Sequence, residues 1–190
     1  TSLLDEQLSN NRYKYPERAY NTVILPKEIN FIPEIPNQSK FKINVIKTEL
    51  PGIMTFKETI NIDNKISDWT DTMKKNNLCH LCVIERHGKN GEFAHGFLKN
   101  FNLKEGAVAS SVGHDAHNII VSGLNKKDMK LAVEIIHEYQ GGIVIVNNGK
   151  LISSVKLPIA GLLSDKKATE VANENKIFKE NWDKSGCTLP

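Results

Sequence analysis

Three cysteines in 190 residues are too few, and odd in number, to staple this chain. An odd count argues against a disulfide framework and for a reducing compartment such as the cytoplasm. No apolar run approaches 18 residues, so no helical membrane span is expected. No signal peptide precedes the first residue, Thr1, so the chain is expected to be processed, cut, or part of something longer. Charge of one sign is also scarce. The formal balance is only +3, and lysines alternate with acids along most of the chain. No like-charge block marks a nucleic-acid or membrane surface, and neither is expected as a partner. Internal repeats and low-complexity stretches are absent.

The common catalytic signatures are missing too. There is no H-E-x-x-H, no Walker sequence, no G-x-S-x-G and no G-x-G-x-x-G opening a helix. Cys79-His80-Leu81-Cys82 has the C-x-x-C spacing, but no second pair of ligands follows to complete a zinc site. In a strand the two thiols point to opposite faces. The zinc signature of nucleobase deaminases needs H-x-E and a proline before the first cysteine, and neither is present. Cys79 and Cys82 are therefore read as small apolar core residues, and no metal ligand is assigned.

What remains is an ordinary globular composition, 39% hydrophobic and 25% charged, enough for one domain with an extended arm. Residues 1–40 hold Pro16, Pro26, Pro33 and Pro36, which marks an arm or connector. Within it Leu3, Leu4 and Leu8 suit one helical turn, and Val23–Leu25 and Ile29–Ile32 suit edge strands or extended chain. Residues 41–124 read as short strands. Phe41, Ile43 and Val45 alternate, Pro51-Gly52 signals a turn, and Met54, Phe56, Glu58 and Ile60 mark the return strand of a hairpin. The polar stretch 61–77 reads as irregular. Leu78–Ile84 has the continuous apolar character of a central strand covered on both faces. Phe93–Leu98, Val108–Val112 and Asn118–Ser122 follow, and the turn glycines favour antiparallel pairing.

From residue 125 the period changes. Met129, Ala132, Ile135, Ile136 and Tyr139 recur at three and four, one face of a helix, with Asn125 as its N-cap and the glycines after Gln140 as its stop. Gly142–Val146 and Leu151–Val155 are strands joined by Asn147-Asn148-Gly149, a hairpin signal. Ser164 is expected to cap a second helix with Ala168, Val171, Ala172, Asn175, Phe178 and Trp182 facing inward, ended by Gly186. The expected fold is α+β: mostly antiparallel sheet, two main helices in the C-terminal half, and an extended N-terminal arm.

Residues 106–123, GAVASSVGHDAHNIIVSG, carry the densest chemistry. His114, Asp115, His117 and Asn118 sit between two buried apolar runs. A histidine titrates near neutrality and a neighbouring carboxylate orients or charges it, which suits proton transfer or recognition of a heterocycle. The alternative is a polar turn whose side chains cap backbone groups. Glu85-Arg86-His87, at the carboxyl end of the central strand, either lines the same site or forms a surface turn into Gly88.

The segments IERHG (84–88), KNFNLKEGAVASSVGHDAHNIIVSG (99–123), DMKLAVEII (128–136), GGIVIVNNGK (141–150) and LPIAGLLSD (157–165) stand in the order found in one family. Over residues 41–190 the chain resembles the C-terminal domain of prokaryotic adenine deaminases. Gly113 and Ala116 replace residues that are more often Ala and Ser there. The resemblance implies an amidohydrolase of purine salvage that converts adenine and water to hypoxanthine and ammonia. It implies a preceding metal barrel, absent from this chain, whose divalent manganese or iron activates the water. It implies a homo-oligomer and a further apolar segment after Leu189-Pro190, and a fragment inactive by itself. His114, Asp115 and His117 become candidate catalytic residues, and Glu85, Arg86, His87 and Asn118 candidate substrate-binding residues. A purely structural or oligomerisation module is the alternative.

Overall fold

A computed structural model describes residues 15–31, 33, 38–49, 54–63 and 69–187. The expected leucine turn at residues 3–8 and the Pro51-Gly52 turn lie outside these residues. Eight strands form one sheet: β1 (Lys40–Thr48), β2 (Thr55–Asp63), β3 (Leu78–Ile84), β4 (Phe93–Lys99), β5 (Ala107–Ser110), β6 (Ile119–Gly123), β7 (Gly142–Asn147) and β8 (Lys150–Lys156). Their spatial order is β2-β1-β4-β3-β6-β5-β7-β8. Every pairing is antiparallel except β1 with β4, a parallel seam that pairs Ile46 with Leu98 and Lys47 with Lys99. The hairpin β1–β2 is in full register from Lys40 opposite Asp63 to Thr48 opposite Thr55.

Among the described residues three α-helices accompany the sheet: α1 (Trp69–Lys75), α2 (Lys126–Tyr139) and α3 (Ala168–Ser185). The first overturns the expected irregular stretch. Thr72 and Met73 are its buried residues, at 1% and 0% exposure. Seven residues give too few turns for a periodic signal to stand out in a polar segment.

α2 follows from its sequence. Asn125 Oδ1 accepts from Asp128 N at 2.9 Å, satisfying one of the donors that a helix start leaves open. Its apolar stripe of Met129, Ala132, Val133 and Ile136 seals one sheet face against Ala107, Ala109, Val121, Val144 and Val146. The stop differs from expectation. Gln140 itself takes the left-handed conformation, φ 59°, and its amide reaches Val23 N and His137 O. Gly141 is needed for close approach instead, because a Cβ there would lie 2.3 Å from Gly161 Cα.

α3 starts three residues later than expected. Ser164 closes a turn by accepting from Lys166 N, and Lys167 occupies the N-cap position with no side-chain hydrogen bond. A serine followed by Asp suits a tight turn as well as a cap, so the pattern alone does not separate them. Phe178 and Trp182 of α3 join Phe101, Val108, Ile145 and Val155 in a second core cluster on the opposite sheet face. The β7–β8 turn forms as read, with Asn148 and Gly149 both at positive φ, the type I′ geometry. β3 is central, but only one of its faces is fully covered: Cys82 and Ile84 are buried, whereas Leu81 and Val83 remain half-exposed.

Candidate functional site

The carboxyl end of β3, the turn between β5 and β6, the start of β7 and the loop after β8 meet at one place. Arg86 stands at the centre, 1% exposed. Its Nε donates to His117 O at 2.5 Å, one Nη to Thr22 O at 3.3 Å, and the other Nη to Ala160 O at 3.1 Å. No carboxylate lies within ion-pairing distance of it among the described residues. Burial draws the guanidinium's pKa below its ordinary value. Carbonyl dipoles are its partners, and the planar fork suits three separate acceptors.

Two further residues complete this junction. Gly161, φ 71°, lies flat against the guanidinium, and a Cβ there would approach Nη1 to 2.7 Å. Ser111 is fully buried, donates to Gly161 O at 2.6 Å and accepts from Gly142 N at 2.8 Å. Sequence reasoning passed over Thr22, Ser111, Ala160 and Gly161 as site residues. The one available signal was the second serine closing the apolar run AVASS, where a buried hydroxyl needs partners. The segment LPIAGLLSD reads simply as a turn and cap, because its contact with Arg86 runs through backbone carbonyls that no side-chain pattern reports.

Above this junction residues 113–118 form a compact turn. His117 N donates to Gly113 O at 3.2 Å and Ala116 N to His114 O at 3.0 Å. Asp115 and His117 hold positive φ, 62° and 49°, a conformation sparsely populated by residues other than glycine. Arg86 pins the far side of the turn through His117 O. His87 pins its tip: its Nε2 donates to Ala116 O at 2.9 Å, which fixes the imidazole proton on that nitrogen.

The turn presents an exposed pair. His114 Nδ1 lies 3.2 Å from Asp115 Oδ2, with side chains 95% and 88% exposed. At that exposure the pair contributes little to stability. His117 is half-buried, and its Nδ1 is buried with no hydrogen-bond partner among the described residues. Asn118 is half-buried at the entry to β6.

Glu85 serves the neighbouring loop. Its carboxylate accepts from the backbone N–H groups of His87, Lys89, Asn90 and Gly91. Burial opposes its ionisation, but the four donors outweigh burial and hold the carboxyl below its ordinary value. The structure thus brings all seven sequence-derived site residues to one sheet end. Glu85, Arg86 and His87 bond to backbone, and His114 and Asp115 face outward.

Among the described residues no group of three or more His, Cys, Asp or Glu side chains is placed to hold a metal ion. Cys79 and Cys82 are free thiols, buried on opposite faces of β3. Burial raises both pKa values, that of Cys82 to about 11, so neither is a ready thiolate.

Fold and site together define an α+β domain built on one mixed sheet, with a locked polar turn displayed at a strand end. The adenine deaminase C-terminal domain model matches residues 52–190, and the chain belongs to that family. It is 53% identical, over all of its length, to the adenine deaminase of Chelativorans sp. (strain BNC1), and 52% identical to adenine deaminase 2 of Bradyrhizobium sp. (strain ORS 278). Over 94% of its length it is 34% identical to the adenine deaminase of Methanococcoides burtonii. In each case the chain spans 31% of the relative's length.

Proposed function

We propose that this chain is the C-terminal part of a cytoplasmic, homo-oligomeric adenine deaminase, an amidohydrolase that hydrolyses adenine to hypoxanthine and ammonia in purine salvage. Residues 41–190 form the domain, and residues 1–40 connect it to the preceding part of the enzyme. A divalent metal, manganese or iron, supplies the activated water in that preceding part. The described residues do not fit a metal site, so their contribution is to substrate and proton handling.

One observation carries the assignment of the site. The 113–118 turn is strained and doubly pinned, yet among the described residues the exposed side chains of His114 and Asp115 pair only with each other. Strain persists where surrounding structure enforces it, and it gathers at functional sites. Asp115 beside His114 Nδ1 favours the proton on that nitrogen and leaves Nε2 as an outward acceptor. His117, half-buried beside them, keeps a buried Nδ1 with no hydrogen-bond partner among the described residues. These three are the proposed catalytic groups, Asn118 a substrate contact, and Glu85, Arg86 and His87 the residues that position the turn.

The test is kinetic and uses the full-length enzyme. His114→Ala and Asp115→Ala should each lower kcat for ammonia release from adenine at least tenfold, with circular dichroism and metal content unchanged. Wild-type kinetics in both variants would remove the catalytic assignment. They would favour the second reading, a structural module, which has its own support in the backbone hydrogen bonds of Glu85, Arg86 and His87.

A further inference from the structure

The two faces of the sheet are finished differently. Against α2 the packing is closed, with Ala109, Val121, Val144, Met129 and Ile136 at 4% exposure or less. On the other face α3 contacts β8 and leaves a groove of about 510 Å³ beside it. Leu98, Val108, Ile120, Ile143, Phe178 and Trp182 wall the groove. Ile120 is 37% exposed although it lies on an interior strand, β6. Leu81 and Val83, on the adjacent β3, extend the half-covered surface.

The groove also reaches the site. Ser110 and Ile120 pair across β5 and β6 and line its end. Ser111 of the buried junction follows the first, and the turn 113–118 lies between the two. Whatever fills the groove therefore lies against the foot of the turn that displays His114 and Asp115.

A contiguous apolar hollow in mid-sheet marks a covered surface. A second copy would have to seat another part of the same patch in the groove, and the cross-linking below separates it from a segment of the same chain. The rest of the polypeptide is the better source, since most of each full-length relative lies outside the matched 31%. We infer that the groove seats an apolar segment of the same polypeptide lying outside residues 1–190, and that this docking brings the remainder of the enzyme against the 113–118 turn. Ser110, Ser122, Asn175 and Lys179 are the polar groups along the groove that meet the segment's backbone. The inference rests on the proposal that the chain is part of a longer deaminase, but not on which residues perform the chemistry.

Photo-crosslinking in the full-length polypeptide tests it. A benzophenone amino acid replaces Ile120 in one variant and Asn175, exposed on α3, in another. Glu138, exposed on α2, is the control position. The expected result is a cross-link from positions 120 and 175, and none from 138, to a peptide outside residues 1–190 of the same chain. Isotope-mixed preparations separate links within a chain from links between chains. Links confined to residues 1–190, links to a second copy, a small molecule released from the denatured protein, or an intact mass equal to residues 1–190 alone would each overturn the inference. If position 120 does not tolerate the probe, position 175 gives the same readout. Adenine deamination by the wild type is measured on the same preparation, so failure of the functional proposal registers separately from failure of the docking.

Discussion

Arg86 joins three segments by donating to Thr22, His117 and Ala160 carbonyls from a buried position. A lysine keeps the charge but has no planar fork to serve three diverging acceptors. Arg86→Lys should cost about 2–3 kcal/mol, the penalty for leaving buried carbonyls without donors, read as a lowered urea midpoint at unchanged slope. His80 makes a second residue-scale prediction. It is fully buried in β3, and burial, with a smaller effect of His95, lowers its pKa to about 4 from 6.5. Above pH 6.5 the neutral ring carries no penalty. As pH falls from 6.5 towards 4 the unfolded chain takes up a proton that the folded chain refuses, so stability declines, by up to about 1.4 kcal/mol per pH unit. Urea titrations of the wild type and His80→Leu across that window should show the decline weakened in the variant. An equal slope in both would assign the pH dependence elsewhere.

Elements were legible where one signal served one purpose. The alternation in β1, the apolar run of β3, the Asn125 cap and the Asn-Gly turn each had a single local reading, and each formed. α1 is not legible in the sequence, because a short helix in a polar segment carries no stripe. The start of α3 is ambiguous in sequence because Ser164 suits a turn and a cap alike. The candidate site was legible as a cluster in sequence, since His114 to Asn118 are contiguous. Its support was not, since Arg86 acts through carbonyls of residues far away in the chain. The same holds for Asp128, whose buried carboxylate accepts from Asn148 N and Gly149 N and so ties the start of α2 to the β7–β8 turn. Asp128→Ala should cost about 1–3 kcal/mol, and Asp128→Asn, which keeps one acceptor oxygen, should cost less. Thermal unfolding of both variants checks the order, and a neutral Asp128→Ala would remove the tie.

At the scale of the molecule, the buried junction around Arg86 and Ser111 ties the arm, three strand ends and the loop after β8 into one body at the site. The bonds to His117 O and Ala116 O anchor the backbone of the turn that carries the exposed histidine and carboxylate. The far side of the sheet is built otherwise. The hairpin β1–β2 joins its neighbour through two paired positions, and its tip carries Met54 and Phe56 at 67% and 45% exposure. Of its residues only Val45, Thr48 and Ile62 are buried, and Thr48 and Glu58 bond to Lys99 of β4 through their side chains. This predicts a sheet continuous in hydrogen bonding but divided in cooperativity. Amide hydrogen exchange should find β1 and β2 opening together at a free energy below that of global unfolding, with β3, β6 and β7 exchanging only when the whole chain unfolds. Uniform protection across all eight strands would show the sheet to be one unit. Where it holds, a protease or a misfolding event meets this protein first at the hairpin, on the opposite side of the sheet from β7 and β8.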